Sequence, residues 1–144
     1  MTAVLGIHLI ALGVWIGVVG AEFVIEFAGM KDDEALKRAA LLHYKTDVWV
    51  EIPAFLTVLV TGLLMVNTSH LGGLFLAKIG FALAAIALNM LNVYAVFRRR
   101  KFALLDDMEG VHSTARLIQV SSLIIPCFLI AFGIGMWFLI VAGL

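Results

Sequence analysis

The stretch 74–101, LFLAKIGFALAAIALNMLNVYAVFRRRK, decides the fold. It stays apolar for longer than the roughly 20 residues a bilayer crossing needs, then closes on four consecutive cations. One cation, Lys78, lies inside the run. An ammonium at the centre of a bilayer costs roughly 3 kcal/mol or more, so Lys78 requires a partner or a cofactor. At roughly 100° per residue, Lys78, Ala85, Asn89 and Asn92 share one helical face. The segment therefore reads as a membrane-spanning helix with one polar stripe.

Outward from it the same pattern recurs. Apolar runs at about 3–29, 48–66, 71–97 and 117–142 are each long enough to span, and none alternates as a barrel strand would. The chain of 144 residues reads as one all-α domain, a polytopic four-transmembrane-helix bundle. The composition agrees: 63% of residues are apolar and 14% charged. Formal net charge is zero, which argues against nucleic acid as a partner. The single cysteine, Cys127, excludes an internal disulfide. The first run lacks the short apolar core and cleavage site of a signal peptide and reads as a retained helix.

Orientation follows from the basic residues. Lys31, Lys37, Arg38 and Lys45 lie between the first two runs, and Arg98 to Lys101 with Arg116 lie between the last two. The positive-inside rule places both basic loops in the cytoplasm and both termini outside, N-out and C-out. On this reading the RRRK block is a topology signal that meets lipid headgroups. Asp32 caps a helix through 35–46 that runs into the second span, where Pro53 introduces a kink. Size and short loops suggest a multi-pass protein of a bacterial inner (plasma) membrane. Glycines 6, 13, 17 and 20 on the first helix allow close contact within or between protomers, and so a homo-oligomer.

Each run carries one polar stripe. His8, Trp15, Glu22 and Glu26 fall within about 40° of one another on the first helix. His43, Asp47 and Glu51 follow at i+4 spacing, and His112, Arg116 and Gln119 form a strip on the fourth run. Four stripes escape lipid only by facing each other. All ten carboxylates lie in the cytoplasmic half or its loops, whereas the outer half holds His8, His70 and Lys78. Without an acid nearby, His8 and Lys78 point to ligation: imidazole and neutral amine are both nitrogen ligands, and a four-helix bundle can hold a porphyrin. The alternative is that Lys78 snorkels to the outer headgroups.

The opening IHLIALGVWIGVVG resembles the first helix of HemJ-type protoporphyrinogen oxidases and of CopD-type copper-resistance membrane domains, through His8, Trp15 and Gly17. EIPAFLTVLVTGLLM resembles their second helix through Pro53, Thr61 and Gly62. LAKIGFAL places Lys78 on the lysine of the HemJ third helix, and ARLIQV resembles the start of the last helix through Arg116. The resemblance implies haem b held by His8 and Lys78 and oxidation of protoporphyrinogen; Trp15 and His70 are further candidate cofactor-binding residues, and quinone-linked electron transfer is the other redox role open to such a protein. The chain departs from HemJ in AEFVIEF, where Glu22 and Glu26 replace a cation, and in KTDVWVEIP.

The carboxylate end has readings of its own. Glu22, Glu26, His43, Asp47, Glu51 and His112 form a candidate metal site for a hard or borderline ion, or a proton relay. Alternatively Glu26, Asp47 and Glu51 reach cytoplasmic water and pair with Arg98, Arg116 or Lys45. Met65, His70, His8 and Met136 would suit copper(I) near the outer face. A second haem between His43 and His112 would complete an electron path. Three classes thus stand open: a haem b redox protein, a CopD-like metal-binding or transport protein, and a cofactor-free membrane subunit with a proton-conducting stripe.

Overall fold

The computed structural model describes residues 3–66, 72–121 and 123–141. Among these it is all-helical: α1 (Ala3–Gly29), α2 (Asp33–Thr46), α3 (Ile52–Leu64), α4 (Gly73–Leu104), α5 (Met108–Ser121) and α6 (Ile124–Val141). A single π-turn, Asp47–Glu51, joins α2 to α3 without a break. Four stretches are long and apolar enough to cross a membrane: α1, the continuous Asp33–Leu64, α4 and α6. The protein is a multi-pass membrane protein of helical type.

The first basic loop is short because its helix is capped. Asp32 is extended and its carboxylate accepts the Ala35 amide at 2.7 Å, while Asp33 and Glu34 occupy the first turn. Gly29, at the end of α1, lies against this helix. A Cβ there would sit 2.6 Å from the Ala39 Cβ, so only glycine permits the approach. Pro53 does not act as a simple kink. Lacking an amide, it stands in the first turn of α3, and the ladder just before it widens until the Ile52 amide reaches back five residues to Asp47.

Two boundaries differ from the sequence reading. The third span continues past 97 to Leu104, so the RRRK block is helical. The fourth run is two helices. α5 ends at Ser121, and α6 begins at Ile124 with Pro126 in its first turn. The spanning segment therefore starts near 124, not 117. At the α4–α5 corner Asp106 adopts φ 56°, which aspartate tolerates, and its carboxylate pairs with Lys37. Asp107 caps α5 by accepting the Gly110 amide at 3.0 Å.

α1 packs on α2 and α3, and α4 packs on α6, α5 and α2. Trp15 stands where the four spanning segments meet, against Phe55 of α3 and edge-on to Phe128 of α6, with ring centroids 5.5 Å apart in the latter pair. A smaller cluster of Leu36, Ala40, Ala103 and Val111 ties α2, α4 and α5 together at the basic end. Large apolar side chains such as Phe27, Trp49, Leu64 and Ile140 are exposed on the outside, as contact with lipid requires. Within lipid, association rests on close packing and on polar contacts between helices. The second of these defines the site.

Candidate functional site

Three of the four polar stripes, on α1, on the α2–α3 segment and on α4, converge. His8, Trp15 and Glu22 recur every seven residues on α1, about 10.5 Å apart along its axis. Each meets a polar partner from another helix. The Trp15 indole donates to Asn89 Oδ1 of α4 at 3.3 Å, and Asn89 is fully buried. This contact joins the α1 and α4 stripes at mid-bundle.

Toward the basic end lies a buried ionic cluster. His43 is 2% exposed, and Asp47 and Glu51 are 0% exposed. Glu26 receives both guanidinium nitrogens of Arg99, one at 2.6 Å, and accepts from His43 Nδ1 as well. Because Glu26 is an acceptor throughout, His43 presents an Nδ1 proton to it and directs Nε2 away from it. That nitrogen faces Glu22 Oε2 at 3.5 Å and Asp47 Oδ1 at 3.4 Å. The Thr46 hydroxyl holds the other oxygen of Glu22 at 2.8 Å. Glu51 lies one turn further in, within electrostatic reach of Asp47, Glu22 and His43.

The π-turn makes this possible. An i+4 step on an α-helix drifts by about 40°, so two steps would carry Glu51 well off the face of His43. The wider turn at 47–51 takes back part of that drift. As a result His43, Asp47 and Glu51 all enter the interior, and π-turns recur at functional sites for reasons of this kind.

The sequence grouped these acids correctly but assigned them the wrong counter-ion. The reading in which Glu26, Asp47 and Glu51 reach water and pair with Arg98 or Lys45 does not hold among the described residues, and the side chain of Arg116, the third partner named, lies outside them. Asp47 and Glu51 are fully buried, and Glu26 binds Arg99, which is itself fully buried. The RRRK block is therefore not only a topology signal. Arg98 and Arg100 lie over the rings of Phe102 and Tyr44, while Arg99 points inward. A signal was present: 78, 85, 92 and 99 form a seven-residue series, so Arg99 completes the α4 stripe. Thr46 and Thr61 were not recognised as polar partners by spacing. His112 does not join the cluster. It is 58% exposed and meets Asp33 at 3.1 Å on the surface. A haem between His43 and His112 has no support in this arrangement. The side chains of Arg116 and Gln119 lie outside the described set, as does His70.

At the opposite end, His8 is half-buried between α1 and α3. The Thr61 hydroxyl donates to the Thr57 carbonyl at 2.6 Å, so its oxygen accepts from His8 Nδ1, 2.8 Å away. This leaves His8 Nε2 as the basic nitrogen. Lys78 lies between α4 and α6, with Nζ 5.8 Å from the Phe75 ring centre and no carboxylate partner among the described residues. It is close enough for its charge to act on the His8 ring. A glycine lies beside each: a Cβ on Gly62 would be in ordinary contact with His8 Cε1 at 3.5 Å, and one on Gly135 would be 3.3 Å from the flexible Lys78 Cε. Trp15 is held in the core by Asn89 rather than beside these two.

An apolar cleft of about 290 Å³ opens between α1 and α6, with Trp15, Gly20, Ile124 and Phe128 in its walls. Fold and site together define a four-span helical membrane protein with an ionic cluster at one end of its interior and a nitrogen pair at the other. Compared with protein-family models, curated proteins and solved structures, the chain matches none.

Proposed function

We propose that the protein is a haem b-binding redox protein of a bacterial inner membrane, with its basic loops in the cytoplasm and its termini outside. The observation that carries this reading is the contact of His8 Nδ1 with the Thr61 hydroxyl, 2.8 Å away. The Thr61 hydroxyl oxygen accepts from Nδ1, which orients the ring and would present Nε2 to a ligand, the arrangement in which a second partner fixes a metal-bound imidazole. Lys78 supplies a second nitrogen as the neutral amine, and its lack of a carboxylate partner among the described residues agrees with that role. The donor set, an imidazole on α1 and an amine on α4, is of the kind that haem iron accepts.

Bound haem supplies one-electron chemistry. The chain's residues orient the ligands, exclude water with the Phe75 and Phe138 rings, and hold ionisable groups along the bundle axis. The cluster at Glu22, His43, Asp47 and Glu51 can exchange protons on the cytoplasmic side as electrons move, and the α1–α6 cleft offers a lipid-soluble partner such as a quinone a route to the interior. The test is an optical spectrum of protein purified after haem-replete expression. A Soret band that is lost or shifted in both His8→Ala and Lys78→Met supports the reading, and its absence from the wild-type protein overturns it.

A further inference from the structure

Five buried polar atoms at the basic end have no hydrogen-bond partner among the described residues besides those of Asn89 and Arg99. They are His43 Nε2, both oxygens of Asp47 and both of Glu51. Their residues are 0–2% exposed. Burying an unpaired carboxylate is costly even after the surroundings relax. Arg99, the buried arginine of the described residues, is committed to Glu26. Apart from His43 itself, no second cation among the described residues faces Asp47 and Glu51.

The spacing identifies the kind of cation. Ligand atoms about 2.1 Å from a tetrahedral metal stand roughly 3.4 Å apart. His43 Nε2 is 3.5 Å from Glu22 Oε2 and 3.4 Å from Asp47 Oδ1, and one donor atom from each of the three lies within 4.8 Å of the others. These separations are long for hydrogen bonds but match the edges of a coordination polyhedron. The surroundings match as well. Glu26 receives the Nδ1 proton of His43, giving the carboxylate–histidine–metal arrangement, and Arg99 fixes Glu26 in turn. Thr46 occupies one oxygen of Glu22 and leaves Oε2 to face the pocket.

We propose that Glu22, His43 and Asp47 form a divalent-cation site, with Glu51 able to add a fourth oxygen ligand. Imidazole with two or three carboxylates selects borderline or hard ions such as zinc, ferrous iron or manganese, and discriminates against copper(I), which prefers sulfur. The site is independent of haem at His8 and Lys78.

Cobalt(II) tests this, because its visible bands report coordination by nitrogen and oxygen. The full chain in lipid nanodiscs, stripped with a chelator, should take up one cobalt(II) saturably, and zinc should displace it. Asp47→Asn and His43→Ala should each weaken binding at least ten-fold, whereas His112→Ala, on the surface, should bind as wild type. Helical circular dichroism identifies any variant that fails to fold, and Glu51→Gln then serves as a milder probe, with a smaller loss expected. Absence of saturable uptake by folded wild-type protein, or wild-type affinity in folded Asp47→Asn, overturns the proposal and leaves the carboxyls holding protons instead. The Soret band of the same samples reports the haem separately, so either reading can fail alone.

Discussion

At the basic end of the bundle, four acids, a histidine and an arginine share one buried space. At the other end, a histidine and a lysine lie without a carboxylate among the described residues. Both regions place ionisable groups inside a membrane-spanning bundle, but they satisfy them differently. The first is a network: Glu26 is shared by Arg99 and His43, so removing one member leaves another charged and stranded. The second consists of separate side chains supported by a threonine, a phenylalanine and two glycines. The basic end should therefore carry much of the bundle's stability, and the other end should be free to serve ligand binding.

Arg99→Met is the most severe test of that contrast. It leaves Glu26 buried without its counter-ion, and breaking such a pair costs roughly 3–5 kcal/mol. Thermal or SDS-induced unfolding of the purified protein should show this loss. The double variant Glu26→Gln with Arg99→Met should recover a substantial part of it, because no charge is then stranded. A fall of less than about 1 kcal/mol in the single variant would mean that solvent or lipid headgroups compensate Glu26, and the contrast would collapse.

Gly29→Ala comes next. The added Cβ would lie 2.6 Å from the Ala39 Cβ, so α1 and α2 must separate. Overpacking of this kind costs about 1–3 kcal/mol. Because the same two helices deliver Glu22, Glu26 and His43, cobalt(II) affinity should fall together with the melting temperature. A lowered melting temperature with unchanged affinity would separate the packing of these helices from the geometry of the cluster.

How much of this could be read beforehand depended on the range of the signal. Long apolar runs made the four spans legible, because length and hydropathy are properties of a whole segment. The stripes on α1 and α4 were legible because one unbroken helix preserves its phase: Trp15 and Asn89 were placed on converging faces and do meet. Phase arithmetic failed where the helix changes. His112 was grouped with the interior by projection along the fourth run, but α5 ends near 121 and its phase does not carry into α6. The π-turn left no mark in the pattern, since His43, Asp47 and Glu51 stand at i+4 in either helix type. Arg99 was obscured by its neighbours, because a run of four cations reads first as a loop signal. The seven-residue series from Lys78 was the better guide.

Between the two ends stands the Trp15–Asn89 bond, and Trp15→Phe removes it while keeping most of the ring packing. Asn89 is fully buried and its Nδ2 already lacks a partner among the described residues, so losing the indole strands its oxygen too. The expected cost is about 1–2 kcal/mol. If the stripe is continuous, the change should also perturb both ends slightly, seen as small shifts in the haem and cobalt(II) spectra. Independent ends would show the stability loss with neither shift.

The smallest effect on folding is expected from Lys78→Met, although Lys78 is the most conspicuous residue of the chain. Its ammonium gains a contact with the Phe75 ring that is worth roughly 0.5–1 kcal/mol, set against the desolvation of a half-buried cation. Methionine retains the length and packing of the stem beside Gly135 and sheds that desolvation. Unfolding should thus move by less than about 1 kcal/mol in either direction, while haem binding is lost or altered. A large loss of stability in protein free of haem would show that Lys78 has a structural anion partner after all. The two ends of the bundle would then be built on the same principle, and the case for a ligand at the outer one would fall.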